Sequence, residues 1–355
     1  SVLRWLSARI RTMSQQFNML SLSGGGIRGI FTASVLAHFE TYILDQKGLS
    51  GVVAKEYSIA QHFDLICGTS IGGIIALGLA SGLTAREIKE TMLEHRLTIF
   101  PKKMKWPFNT EKLFRPLYKP QPLKDVLDEM FKTKTLGELD KYILIPSISL
   151  TNGQIRAFKT PHHPHLHTDY KLAIVDVALA TSAAPTYFPV HKIGSERFVD
   201  GGLAANSPVL MGLIEAQYYL NRSLSDVFVM QVGTMGSKRT SDHSEKLNGG
   251  YRSAWGFGEG IIDLAMSTTE TLHNFLAEKI LEDSHRLLYA DEQPGEKKSS
   301  ILALDNASDQ AIEILCASAE KVAREQINAP NFKDFMNYTA NTPSFYAGPK
   351  KNKES

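Results

Sequence analysis

The chain has few of the residues that mark several common protein classes. Two cysteines, Cys67 and Cys316, make no disulfide framework, so the sequence reads as one that folds in a reducing compartment. A balance of 39 basic against 37 acidic side chains leaves a net charge of +2, too weak a field to mark nucleic acid as a partner. Long apolar runs are also lacking. The longest, residues 65–80, is interrupted by Thr69, Ser70 and glycines, and it suits a buried strand–turn–helix better than a membrane span. The basic segment 1–13 has neither the apolar core nor the cleavage site of a signal peptide; Met13 reads as the natural start and the residues before it as an extension. There is no internal repeat and no clear linker.

What is present is ordinary globular composition, 43% hydrophobic and 21% charged over 355 residues, enough for one large α/β domain. Periodicity predicts buried strands over 17–22, 63–67 and 227–232, and a strand pair over 142–150 and 154–159 turning at Asn152-Gly153. It predicts helices over 30–44, 71–81, 122–131, 174–181, 261–281 and 308–326. Another starts at Thr84, where Glu87 completes a capping box, just after Gly82 at a helix C-terminus. Residues 99–122 read as a long loop. Strands alternating with helices imply a layered α/β fold with a mostly parallel sheet. The expected organisation is an N-terminal extension over 1–16, one domain over 17–328 and a C-terminal tail over 329–355, disordered from 348.

Gly24, Gly26 and Gly29 satisfy G-x-G-x-x-G between a strand and a helix, and two readings stand open. One is a dinucleotide site, with Asp45 near the place of the ribose-binding acid. The other is a cradle of backbone N–H groups for an oxyanion, aided by the helix dipole. Arg28 in the turn, and a poor strand before Asp45, weigh against the nucleotide. Gly68-Thr69-Ser70-Ile71-Gly72 is G-x-S-x-G between a buried strand and an apolar helix, the setting of a nucleophile elbow.

A nucleophilic serine needs a base. Asp200-Gly201-Gly202 offers a carboxylate at a strand end on a backbone free to approach another loop. The alternative is a Ser-His-Asp triad drawing on His243, His273 or His285, none of which sits among small neighbours. His162, His163, His165 and His167 lie between prolines and read as a solvated loop rather than a metal site. Neither metal nor cofactor is expected.

Three motifs in order, Ser-Gly-Gly-Gly-Ile-Arg-Gly at 23–29, the elbow at 68–72 and Asp-Gly-Gly at 200–202, resemble the patatin-like phospholipases. The segment 180–189, Ala205-Asn206-Ser207-Pro208 and Leu304-Asp305-Asn306-Ala307 are similar to that family as well, so the resemblance spans about 17–328. It implies a three-layer fold around a mostly parallel sheet and a lipid acyl hydrolase that works through an acyl-enzyme. Ser70 would be the nucleophile and Asp200 its base. Gly24, Gly25, Gly26 and Arg28 would form the oxyanion hole, while Gly68, Gly72, Gly201 and Gly202 complete the motifs. Ser23 departs from the family, which commonly has aspartate there. The glycine motif looks like that of bacterial members, some of which are anti-phage effectors switched on by cyclic dinucleotides. That likeness implies a cytoplasmic enzyme acting on phospholipid at the inner membrane face, with a cyclic dinucleotide activator; a homo-oligomer stays open. Residues 101–108, with Trp106 and Phe108 among lysines, read either as an interfacial lid or as a loop with its aromatics packed inward.

Overall fold

The computed structural model describes residues 16–101, 115–236, 259–282 and 284–352. Its strands are β1 (Phe17–Leu22), β2 (Leu65–Gly68), β3 (Tyr142–Ser149), β4 (Gln154–Lys159), β5 (His191–Ile193), β6 (Glu196–Asp200), β7 (Val227–Val232) and β8 (Leu287–Ala290). They form one sheet in the order β5-β6-β3-β2-β1-β7-β8, with β4 also paired to β3. The run from β3 through β8 is parallel, while β4, β5 and β6 are antiparallel additions. The main helices are α1 (Gly29–Lys47), α2 (Ile71–Ala80), α3 (Ala85–Ile99), α4 (Pro120–Phe131), α5 (Ile174–Thr181), α6 (Val209–Tyr218), α7 (Glu259–Leu281) and α8 (Asp309–Ile327).

Alternate residues of the central strands β1, β2 and β7 enter two separate cores, as the two-residue period of a strand requires. Leu20, Ile66, Met230 and Val232 face the larger core, which α1, α2, α3, α5 and α8 cover. Met19, Leu65, Cys67 and Val229 face a smaller one under α6 and α7. With both faces covered, β1, β2 and β7 read as near-continuous apolar runs, and the three-layer α/β expectation holds.

The sheet also sets up the site. Leu22 is in register with Gly68 on one side and Val232 on the other, so the glycine turn after β1 stands beside the turn after β2. Strand β4 takes one edge of β3 over 144–149. Strands β2, against 142–144, and β6, against 147–149, therefore share the other edge and run toward each other. Their carboxyl ends meet, although they are distant in sequence.

The capping box at Thr84 is present: Glu87 Oε2 accepts the Thr84 N–H at 2.8 Å and Thr84 Oγ1 accepts the Glu87 N–H at 3.1 Å. Gly82, at φ +96°, follows α2 as expected. The C-terminal tail needs correction. Phe332, Phe335, Met336 and Phe345 are buried in the body of the protein, and the Tyr338 hydroxyl donates to Asp64 Oδ2 at 2.7 Å. Order continues into the stretch expected to be disordered, where the Asn352 N–H meets the Phe345 carbonyl at 3.0 Å. The 1–16 extension, except Gln16, and the interfacial segment 101–108, except Pro101, lie outside the described residues. Among the described residues no helix is long and apolar enough to cross a membrane.

Candidate active site

Ser70 stands between β2 and α2 with φ 55° and ψ −125°, a conformation that costs a non-glycine residue on the order of 1–3 kcal/mol. Its surroundings enforce it. A Cβ on Gly68 would collide with the Gly72 carbonyl, and one on Gly72 with the carbonyls of Leu22 and Ser23, so both flanking positions need glycine for the turn to close. The Ser70 N–H donates to Thr181 Oγ1 at 3.0 Å, and that hydroxyl donates in turn to the Pro146 carbonyl at 2.5 Å. Thr181 thus anchors the elbow to β3. Sequence reasoning placed it in a family segment without giving it a role.

Asp200 ends β6, head-on to the elbow. Ser70 Oγ donates to its Oδ2 at 2.6 Å, and the Gly202 N–H donates to Oδ1 at 2.7 Å. The carboxyl is 1% exposed. Burial pushes its pKa up to about 6, against the opposing pull of the Ser70 and Gly202 hydrogen bonds. An acid held there is ionised at neutral pH and within reach of the hydroxyl proton. Gly201 is needed for its own reason, since a Cβ on it would collide with the Pro146 carbonyl.

Ser70, Asp200 and Gly26 open onto an apolar cavity walled by Ile74, Phe100, Leu123, Phe188, Met266 and Leu304. Such a wall can take an acyl chain but offers little to a sugar or phosphate. The N–H groups of Gly25 and Gly26 have no acceptor among the described residues, which leaves them free for an oxyanion. Two other predicted oxyanion residues do not share that place. The Gly24 N–H is already given to the Asn206 carbonyl at 3.1 Å. Arg28 does not line the cavity; its Nη1 reaches the Leu302 carbonyl at 3.5 Å.

Behind the glycine turn lies a polar layer that the motifs did not reveal. Asn206 Nδ2 donates to the Gly24 carbonyl at 3.3 Å and to Glu270 Oε2 at 2.9 Å. Burial first, then the nearby Asp291 carboxylate, pushes Glu270 up to about 7. Ser23, where the resemblance leads one to expect aspartate, is buried beside Glu270, so α7 supplies a carboxyl that the turn itself lacks. Only Asn206 lay in a recognisable segment; Glu270 and Asp291 carry no motif.

The other candidates fall elsewhere. His273 does not line the cavity and pairs through Nδ1 with the Ser207 carbonyl at 2.9 Å; His243 lies outside the described residues. Asp45 is exposed in the last turn of α1, at no strand end where it could hold a ribose. The histidine-rich loop is only partly as expected. His165 and His167 are exposed, but His162 is buried between Thr160 Oγ1 at 2.9 Å and Glu215 Oε1 at 2.8 Å. Glu215 also pairs with Lys159 at 2.5 Å. Among the described residues no three His, Cys, Asp or Glu side chains gather as a metal site would need.

A family model described as patatin-like phospholipase matches residues 20–213. Three bacterial proteins named cGAMP-activated phospholipase are similar over most of their length. The one from Escherichia coli is 38% identical, covering 87% of this chain and 89% of its own. That from Pseudomonas aeruginosa is 36% identical, covering 95% and 96%. That from Vibrio cholerae is 37% identical, covering 88% and 92%.

Proposed function

Since this chain belongs to the patatin-like phospholipases, a family of lipid acyl hydrolases, we propose that it cleaves fatty-acyl esters of membrane glycerophospholipids with Ser70 and Asp200 alone as its proton-transferring pair. The observation that carries this reading is the 2.6 Å hydrogen bond from Ser70 Oγ to Asp200 Oδ2 at the mouth of an apolar cavity. Ser70 Oγ attacks the ester carbonyl carbon as its proton passes to Asp200. The oxyanion is held by the N–H groups of Gly25 and Gly26, and the positive end of α2 lies close by. Collapse expels the glycerol oxygen, which takes the proton back from Asp200. A water, deprotonated by Asp200, then attacks the acyl-serine; the fatty acid leaves and Ser70 Oγ recovers its proton.

The names of the three bacterial relatives support a second part of the reading, that a cyclic dinucleotide switches the enzyme on. A phospholipase in the cytoplasm endangers the inner face of its own membrane, and a gate released by an infection signal suits an antiviral effector. The test is fatty-acid release from phosphatidylethanolamine–phosphatidylglycerol vesicles with and without cyclic GMP–AMP. The wild type should release fatty acid only with the nucleotide, and Ser70→Ala not at all. Hydrolysis of soluble esters with no attack on vesicles under any cyclic dinucleotide would remove the phospholipid substrate from this account.

A further inference from the structure

A second cavity, of about 510 Å³, lies beyond the glycine turn, lined by Gln231, Glu270, Asn274, Phe275, Tyr289 and Asp291 among others. Its size falls in the roughly 300–1,000 Å³ range of small-molecule sites. Several polar groups of its wall are bonded to one another. Gln231 gives its amide N–H groups to Ser207 Oγ at 3.2 Å and Asn274 Oδ1 at 2.8 Å. Asn274 Nδ2 donates to the Tyr289 hydroxyl at 3.3 Å, which donates to Asp291 Oδ2 at 2.9 Å. The Glu270 carboxyl is met by the Ser23 hydroxyl and the Asn206 amide, and its Oε1, on a residue 8% exposed, has no close partner of its own among the described residues. A lone buried carboxylate oxygen is costly unless something donates to it.

Among the described residues no lysine or arginine lines the cavity, whose wall carries the carboxyls of Glu270, Glu278 and Asp291, and carboxyls repel a phosphate. The chemistry that fits is a planar group with adjacent N–H donors, and the half-exposed ring of Phe275, with Lys279 Nζ 5.4 Å from its centroid, offers its other face for stacking. We propose that this cavity binds the guanine base of a cyclic dinucleotide, its N–H edge on Glu270 and its phosphodiesters directed out of the acceptor-lined wall. The inference rests on the reading that such a nucleotide gates the enzyme.

The cavity is wired to the catalytic side. Glu270 Oε2 holds the Asn206 amide that holds Gly24, and Met266, one turn earlier on the same face of α7, lines the acyl cavity. A base seated on Glu270 therefore acts on the glycine turn through two hydrogen bonds and on the acyl cavity through one helix.

The test is titration calorimetry on the full chain carrying Ser70→Ala, so that turnover does not enter the readout. The probes are cyclic GMP–AMP, cyclic di-GMP, cyclic di-AMP and spermidine. The two guanine-containing dinucleotides should bind, with cyclic di-AMP at least ten-fold weaker. Glu270→Gln and, separately, Phe275→Ala should each weaken cyclic GMP–AMP at least ten-fold; Phe275 is half-exposed, so its replacement leaves the fold intact. Unchanged affinity in both variants would overturn this site and leave the gating reading standing. Equal binding of cyclic di-AMP would overturn the guanine assignment, as would spermidine bound in the dinucleotide's place. Binding of no cyclic dinucleotide by the Ser70→Ala chain with Glu270 and Phe275 intact would overturn both the site and the gate, without bearing on the Ser70–Asp200 pair.

Discussion

Ser70 and Asp200 are 130 residues apart, yet the serine Oγ and the aspartate Oδ2 are 2.6 Å apart. β2 and β6 run head-on along one edge of β3, so the contact follows from strand pairing rather than from a flexible loop. The consequences can each be measured.

Asp200 must be ionised to accept a proton, and its pKa is raised to about 6. Turnover of a soluble ester should therefore fall as pH drops through about 6, with one proton governing the limb. A limb centred near 4 would mean that burial does not control this carboxyl.

The same burial opposes folding. With a folded pKa above the ordinary 3.8, the carboxyl disfavours the native state only once it must ionise: the penalty is absent below 3.8 and complete above about 6. The rise corresponds to about 3 kcal/mol for this fully buried group. Asp200→Asn should thus be more stable than the wild type toward urea, by roughly 1–3 kcal/mol at pH 8 and by less at pH 5. A variant destabilised at pH 8 would contradict this.

Thr181 anchors the elbow through its hydroxyl. Thr181→Val leaves the Ser70 N–H without its acceptor, a loss of about 1–3 kcal/mol, and should lower kcat on the order of ten-fold or more with KM little changed. Thr181→Ser should restore most of it. Equal values for Val and Ser would reduce Thr181 to packing.

Gly25→Ala places a methyl on the Thr234 side chain behind the turn. Displacing that N–H from the oxyanion should cost roughly 10²–10³ in kcat, while circular dichroism stays native and stability falls by no more than the roughly 1–3 kcal/mol that overpacking costs. Undiminished turnover would move the oxyanion donor elsewhere.

Truncation after residue 328 removes Phe332, Phe335, Met336 and Phe345 from the core. At roughly 1.5–3 kcal/mol for each buried side chain, the truncated chain should be insoluble or unfold well below the full-length protein. A soluble, active fragment would restore the sequence-based view of 329–355 as a tail.

Much of this architecture is legible in the residues. Strands 17–22 and 227–232 are continuous apolar runs, and helix 174–181 shows clear periodicity; all three are found with those bounds. The hairpin of β5 and β6 is not legible, because its short strands carry His191, Lys192, Glu196 and Arg197 and no apolar alternation. Ser70 and Asp200 stand out because tight turns demand glycine around them. Thr181, Asn206 and Glu270 act through hydrogen bonds to residues far away in the chain, and such contacts leave no spacing to read. Gly24 fails as an oxyanion donor for the same reason: its acceptor, the Asn206 carbonyl, is 182 residues away. Burial of His162 depends on Glu215, which a loop flanked by prolines does not disclose.

Activation of Ser70 by Asp200 alone can be followed through the rate of fluorophosphonate labelling between pH 5 and 8 in the wild type, Asp200→Asn and Ser70→Ala. The wild type should be labelled on Ser70 at a rate that rises through about pH 6, Asp200→Asn at a rate at least a hundred-fold lower, and Ser70→Ala not at all. Labelling of Asp200→Asn at the wild-type rate would contradict it and return the search for a base to the histidines.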